Sequence, residues 1–283
     1  MSTLVNVQVG PFILREQIGM GGVAEVWKAV HVEDGRAYAV KLLRADRLAE
    51  AQHLKALEME FSILEQLRHP ALAPGRRWVE VDGRPGFVMD LIPGENLATV
   101  LARKQPVPGL RCVHELAAAV AYVHENELIH NDIKLENCVL RPDGSLGLID
   151  FGSVKRVQWG SSITGLFSRP AQLIFGTATY LAPELIAGKR PTTKTDLYAL
   201  GVAAFILITG RPPFSAATNE ARLRANATEI PPTLASRVAG IPAAPASVID
   251  RCLAKKPDIR PADAAEVRDA ARDLLARLKP SAG

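Results

Sequence analysis

Apolar positions along the chain change their spacing several times, and each change marks an element. Phe12–Ile18 alternates loosely between apolar and polar side chains, the period of a half-buried strand. Arg36–Leu43 reads the same way, with Ala37, Ala39 and Lys41 on one face. Over Leu48–Leu67 the steps lengthen to three and four through Leu54, Leu57, Phe61, Leu64 and Leu67, which predicts a helix. Trp78–Val81 and Phe87–Ile92 are strands joined at Asp82-Gly83. From there the pattern turns helical. Asn96–Arg103 is a short helix, and Leu110–Glu125 a long alanine-rich one. Tyr198–Ile208 is an apolar run suited to a buried helix, and a final amphipathic helix carries Val267, Leu274, Leu275 and Leu278. The fold class is α+β.

The most informative stretch is Leu128–Gly152. Two short apolar runs, Cys138–Leu140 and Leu146–Ile149, flank Arg141-Pro142-Asp143-Gly144-Ser145, a strong turn signal. The pattern is a β-hairpin, and a hairpin brings Asn137 and Asp150 to the same end. An amide oxygen and a carboxylate converging in this way suit a hard cation such as Mg²⁺ bound with phosphates. Asp132 and Lys134 precede Asn137 and add a candidate base and a cation. Any one of these residues alone fits an ordinary turn; the ordered set carries the chemistry.

Upstream, Gly19-Met20-Gly21-Gly22-Val23-Ala24-Glu25-Val26 lies between two strands, where glycines let backbone N–H groups approach phosphate oxygens. Taken alone the pattern is weak. Ala24 stands at its third glycine position and implies an ordinary negative φ there.

Composition narrows the class. With 283 residues, 48% hydrophobic and 23% charged, the chain is a folded globule with room for two lobes. A net charge of +4 without a Lys/Arg run does not argue for nucleic acid. Cys112, Cys138 and Cys252 form no C-x-x-C pair and read as small buried side chains. No signal peptide, repeat or second domain is evident, and the longest apolar run is too short for a membrane span, so the expected location is the cytoplasm.

The motifs, taken together, resemble those of protein kinases. His130-Asn131-Asp132-Ile133-Lys134-Leu135-Glu136-Asn137 followed by Asp150-Phe151-Gly152 is similar to the catalytic loop and metal-binding turn of that family. Ala39-Val40-Lys41 resembles the strand that carries its nucleotide-binding lysine. Gly176-Thr177-Ala178-Thr179-Tyr180-Leu181-Ala182-Pro183-Glu184 is close to its peptide-positioning segment, and Lys256-Pro257-Asp258-Ile259-Arg260-Pro261 to its closing motif. The resemblance covers nearly the whole chain, in the family's order. It implies a bilobal fold: a leader over 1–11, then one kinase domain over 12–283. The N-lobe (12–90) has an antiparallel sheet and one main helix, and the hinge and larger, mainly helical C-lobe follow (91–283).

The resemblance also implies roles. Lys41, held by Glu60 rather than Glu58 or Glu65, grips the α- and β-phosphates of ATP. Ile18, Gly19, Met20, Gly21 and Gly22 cover the nucleotide. Val26, Ala39 and Val139 wall the adenine, Met89 backs it, and the backbone of Asp90, Leu91 and Ile92 hydrogen-bonds it. Asn137 and Asp150 hold Mg²⁺, with Mn²⁺ as a possible substitute. Asp132 orients the acceptor hydroxyl and accepts its proton, and Lys134 neutralises the transferring phosphoryl group. Thr177 with Lys134 is similar to serine/threonine rather than tyrosine kinases. Asp196 caps the catalytic loop, a role compatible with that of a helix N-cap, and Arg260 pairs with Glu184. Glu136 matches a position that meets a basic residue in some basophilic kinases. The function implied is transfer of the γ-phosphoryl of Mg·ATP to protein Ser/Thr hydroxyls, with Ser161, Ser162, Thr164 and Ser168 as autophosphorylation candidates.

Two other readings compete. A pseudokinase would bind nucleotide without turnover, but Lys41, Asp132, Asn137 and Asp150 are all present. A small-molecule kinase generally lacks the segment Gly176–Glu184. The departure from the family is Asn131, where an Arg is usual; Asn cannot grip a loop phosphate as Arg does, so activity independent of loop phosphorylation is expected. Glycine-rich and alanine-rich features resemble bacterial members. The physiological substrate, the activating partner and the oligomeric state stay open.

Overall fold

A computed structural model describes residues 4–157 and 177–278. The chain forms two compact units, Met1–Pro93 with Ile149–Gly152, and Gly94–Leu148 with Ser153–Gly283.

In the first unit the alternating segments form β1 (Gln8–Val9), β2 (Phe12–Met20), β3 (Ala24–His31) and β4 (Ala37–Leu43). A helix, α1 (Ala51–Gln66), and the strands β5 (Gly75–Val81) and β6 (Arg84–Asp90) follow. All six strands join one antiparallel sheet in the order β1-β2-β3-β4-β6-β5. Asp82 and Gly83, between β5 and β6, both take positive φ (50° and 71°), the conformation an Asp-Gly hairpin turn requires. Gly86 sits opposite Leu42, where a Cβ would lie 2.3 Å from the Lys41 carbonyl, so only glycine lets these strands pair. One sheet face buries Leu14, Trp27, Ala29, Val40, Leu42 and Val88. On α1 the buried stripe is Leu57, Glu60, Ile63 and Leu64, and Phe61 packs on Trp78 and Phe87 of β5 and β6.

Residues 4–9 pack onto the sheet. Leu4 and Val9 are buried with Phe12 and Trp27, β1 pairs with β2, and Leu14 donates its N–H to the Val7 carbonyl at 2.9 Å. Their apolar side chains find a place on the sheet, which so short a run does not reveal in sequence. The sequence boundary at 90/91 also shifts: the first unit runs through Pro93 and includes Ile149–Gly152.

The second unit contains β7 (Glu95–Asn96), α2 (Leu97–Ala102), α3 (Gly109–Glu125) and β8 (Leu128–Ile129), then β9 (Cys138–Leu140), β10 (Leu146–Leu148) and β11 (Lys155–Arg156). Helices complete it: α4 (Pro183–Ile186), α5 (Thr193–Thr209), α6 (Asn219–Thr228), α7 (Ala243–Cys252) and α8 (Ala264–Leu278). The expected hairpin forms, with Cys138 opposite Leu148 and Leu140 opposite Leu146. Helix α5 is apolar all round and buried through most of its length, so it forms the centre of the unit, packed against α3 and α7. Gly201 allows the closest approach there, since a Cβ would fall 2.4 Å from that of Cys252. On α8, Val267, Ala270, Ala271 and Leu274 face inward. Leu278, expected on that stripe, is 42% exposed because the last turn runs past the core. All three cysteines are buried and free.

Candidate active site

Strand β4 delivers Lys41 beside Val26 of β3, which it pairs with. Its Nζ lies 2.7 Å from Glu60 Oε1, 2.8 Å from Glu60 Oε2 and 3.0 Å from Asp150 Oδ1. Of the three candidate glutamates, Glu60 alone is buried; Glu58 and Glu65 lie on the outer face of α1. Burial opposes the Lys41 ammonium, but the carboxylates of Glu60 and Asp150 outweigh it and hold the amine above its ordinary range. Glu60 also accepts the Phe151 N–H at 3.2 Å, so one carboxylate fixes both the lysine and the turn Asp150–Gly152. Asp150 itself takes φ +67°, a conformation Asp tolerates better than most residues, and Phe151 is buried.

None of Gly19, Gly21 and Gly22 takes a positive φ, and Ala24 does not either. A Cβ at Gly22 would meet nothing within 4 Å. Glycine there answers neither a backbone requirement nor packing within the chain; it leaves bare backbone for something outside the chain to approach. Arg44, which sequence reasoning missed, braces this loop: its Nη1 donates to the Gly21 carbonyl at 3.1 Å and its N–H to that of Val23 at 3.0 Å. Ile18 and Met20 end β2 with exposed side chains. Ala39 is buried and pairs with Met89 of β6. Asp90 donates its N–H to the Pro74 carbonyl at 3.1 Å, and its carboxylate forms a fork with Arg76. Leu91 and Ile92 follow, half-buried and outside any strand.

In the second unit the catalytic-loop residues form a network of their own. Lys134 Nζ donates to Asp132 Oδ2 at 2.7 Å, and Asn137 Nδ2 to the same oxygen at 3.0 Å and to the Asp132 carbonyl at 2.9 Å. Both side chains hold Oδ2. The Asn137 amide is likewise fixed, its nitrogen on Asp132. Asn137 immediately precedes β9, whose Val139 is buried.

The loop is anchored from below by Asp196. Its carboxylate accepts the N–H groups of His130 (2.7 Å) and Asn131 (2.8 Å), and His124 Nε2 lies 2.9 Å from it. The N-cap role does not fall to Asp196: Thr192 caps α5 in a capping box with Thr195, and Asp196 sits one position further into the helix. Asn131 takes φ +64° and donates its amide to the Ser153 carbonyl at 3.4 Å.

Beside Asp132 a small cavity is lined by Ile133, Tyr180, Leu181, Leu185 and Ala199. Below that segment, Glu184 and Arg260 form a buried two-bond fork (2.7 and 2.8 Å), with Thr195 Oγ1 donating to Glu184 at 3.1 Å. Thr177 lies in the helical turn Thr177–Thr179. Glu136 is exposed. Gly176 and the candidates Ser161, Ser162, Thr164 and Ser168 fall outside the described residues.

The family model of the protein kinase domain matches residues 12–272. The chain belongs to the protein kinase domain family. It is 30% identical over 280 residues to serine/threonine-protein kinase PknH of Mycobacterium bovis, an alignment covering 96% of this chain and 45% of PknH. It is 32% identical over 259 residues to PknF of Mycobacterium tuberculosis, covering 88% of this chain and 53% of PknF. With pkn2 of Myxococcus xanthus it shares 31% identity over 291 residues, 97% of this chain and 34% of pkn2. These three relatives are bacterial serine/threonine-protein kinases by name, and the family model places a single protein kinase domain over most of this chain. The chain spans about half the length, or less, of these curated relatives. Among the described residues, no helix of this chain is long and apolar enough to cross a membrane.

Proposed function

We propose that the chain is an active ATP-dependent protein kinase that phosphorylates Ser and Thr hydroxyls of proteins. The observation that carries this reading is Asp132, whose carboxylate is fixed through Oδ2 by Lys134 and Asn137. Phosphoryl transfer depends on positioning and charge neutralisation more than on covalent help. The acceptor oxygen attacks the γ-phosphorus. The bond from phosphorus to the β–γ bridging oxygen breaks, and ADP leaves. The hydroxyl proton passes to Asp132. A carboxylate is too weak a base to remove that proton beforehand, so the transfer is late and alignment is the main contribution of Asp132.

In this reading Lys41, with Glu60 behind it, binds the α- and β-phosphates, and Lys134 meets the charge that spreads over the transferring group. Gly19, Gly21 and Gly22 offer backbone to the phosphates, and the open space over Gly22 supports this role. Ile18, Met20, Val26, Ala39 and Val139 supply apolar surface to the base, Met89 backs it, and Asp90–Ile92 meets its polar edge. Asp150 and Asn137 offer one carboxylate and one amide oxygen, hard donors that suit Mg²⁺ shared with phosphates and also accept Mn²⁺. Among the described residues no cluster of three or more His, Cys, Asp or Glu forms a metal site of its own, which fits a metal that arrives with the nucleotide. When bound, Mg²⁺ neutralises β- and γ-phosphate charge. Thr177 belongs to the acceptor side. Asn131 replaces a phosphate-binding arginine with a residue suited to its left-handed backbone, so turnover does not require a phosphorylated loop. Ser161, Ser162, Thr164 and Ser168 are then sites of self-marking rather than an on-switch.

The test is the nature of the product. Incubated with Mg·ATP, myelin basic protein and a mixture of small metabolites, the kinase is expected to yield phosphoserine and phosphothreonine on protein. Label found only on a metabolite would overturn the substrate class.

A further inference from the structure

The segment Ala178–Leu181 leaves a single helical turn and enters α4, so regular structure does not satisfy its carbonyls. One distant side chain takes up three of them. Asn226 Nδ2 donates to the carbonyls of Ala178 (2.9 Å), Thr179 (3.2 Å) and Leu181 (3.1 Å). An amide nitrogen carries two protons, so three acceptors share them in a tight cradle. Asn226 is 2% exposed, in the last turns of α6, where asparagine is a poor helix former. Its presence there answers to the segment it holds, not to the helix that carries it.

The helix end is itself fixed. Lys255 Nζ donates to the carbonyls of Ala225 (3.1 Å) and Asn226 (2.7 Å), and stands 4.3 Å from the ring centre of Phe214. A cation on the last carbonyls of a helix is favourably placed. On the other side of the segment, the Tyr180 hydroxyl accepts the N–H of Leu135 in the catalytic loop at 3.4 Å. Tyr180 and Leu181 line the cavity that Asp132 also lines. The segment is thus held by α6 on one flank and by the catalytic loop on the other.

We propose that Asn226, steadied by Lys255, is a positioning residue for the protein acceptor: it sets the backbone of Ala178–Leu181 as a docking surface for the polypeptide that carries the acceptor hydroxyl. The proposal rests on the kinase reading above. It assigns to α6 an effect on acceptor binding that is separate from nucleotide binding and from the phosphoryl step.

The experiment is steady-state kinetics on the whole chain with myelin basic protein as acceptor, alongside nucleotide affinity and thermal melting. Asn226→Asp keeps the size of the side chain and turns its donor into a carboxylate facing three carbonyls. The expected result is a rise in acceptor KM of about tenfold, the scale of one lost buried hydrogen bond, with kcat and ATP affinity little changed. Asn226→Ala, which introduces no charge, is read in the same way if the carboxylate prevents folding. Lys255→Met should raise the same KM by a smaller factor. A general structural role would lower the melting temperature and reduce kcat and ATP affinity together without that selective change. This pattern, or an unmoved acceptor KM in folded Asn226 variants of an active kinase, would overturn the proposal alone. Absence of transfer by the wild type would overturn it together with the kinase reading.

Discussion

Lys41 is a buried cation whose charge two carboxylates stabilise, and Glu60 is a buried anion facing one ammonium. Each depends on the other, because a buried charge left alone carries a large desolvation cost. Lys41→Met is therefore expected to weaken ATP binding and to lower phosphoryl transfer by on the order of 10²-fold or more. Equilibrium nucleotide titration and single-turnover transfer check this. Glu60→Gln keeps the shape and removes the charge; its effect should have the same direction and be smaller, since Asp150 remains on Lys41. The family resemblance singles out Glu60 in the sequence, and the structure supplies the physical reason: Glu58 and Glu65 sit on the outer face of the same helix. Arg44 and Asn226 were not legible in this way. Each acts by hydrogen bonds to carbonyls distant in sequence, and a single polar residue of that kind breaks no hydrophobic period. The backbone at Asn131 was not legible either, although asparagine is one of the few side chains that tolerates positive φ.

Elements read from periodicity fall close to where they form. Strand β4 and helices α3 and α5 carry long runs with one spacing, and their limits differ from expectation by a few residues. Misreadings occur where a run is short or a cap competes. The two-residue strand β1 has too few positions to show a period, and Thr192 three residues ahead of Thr195 outcompetes Asp196 for the cap of α5. Helices α4 and α5 are tied to the closing motif by Glu184 and Arg260. Burial opposes the Glu184 charge, but the Arg260 bonds outweigh it and hold the carboxyl below its ordinary value of 4.5. The unfolded chain therefore takes up that proton first as pH falls. The stabilisation is complete above about pH 4.5 and is lost as pH drops through the lower folded value. Glu184→Gln should cost on the order of 3 kcal/mol at neutral pH by leaving Arg260 unpaired, and should flatten the acid limb of stability. Denaturant unfolding followed from neutral to acid pH checks both; an unchanged acid limb would remove Glu184 from its cause. The part of the chain that holds Ser161, Ser162, Thr164 and Ser168 is tested by replacing the four together with Ala. The expected outcome is retained turnover, measured as initial rate beside nucleotide binding. Collapse of the rate with binding intact would mean that loop phosphorylation is required despite Asn131.

At the scale of the whole molecule, the family model of the protein kinase domain spans residues 12–272. The first unit presents Lys41 between buried Glu60 and exposed Asp150; the second presents half-buried Asp132 held by Lys134 and Asn137. In the proposed reaction Asp132 is the group that meets the acceptor, and that assignment is the most direct point of attack. Intact mass of the protein and of a basic protein acceptor, after incubation with Mg·ATP, should show added phosphate with the wild type. Asp132→Asn, bearing the same ATP affinity, should show a rate lower by about 10²- to 10⁴-fold, the usual contribution of a positioned acid–base group. Equal phosphate incorporation by the two proteins, or none by a wild type that binds ATP, would contradict the account.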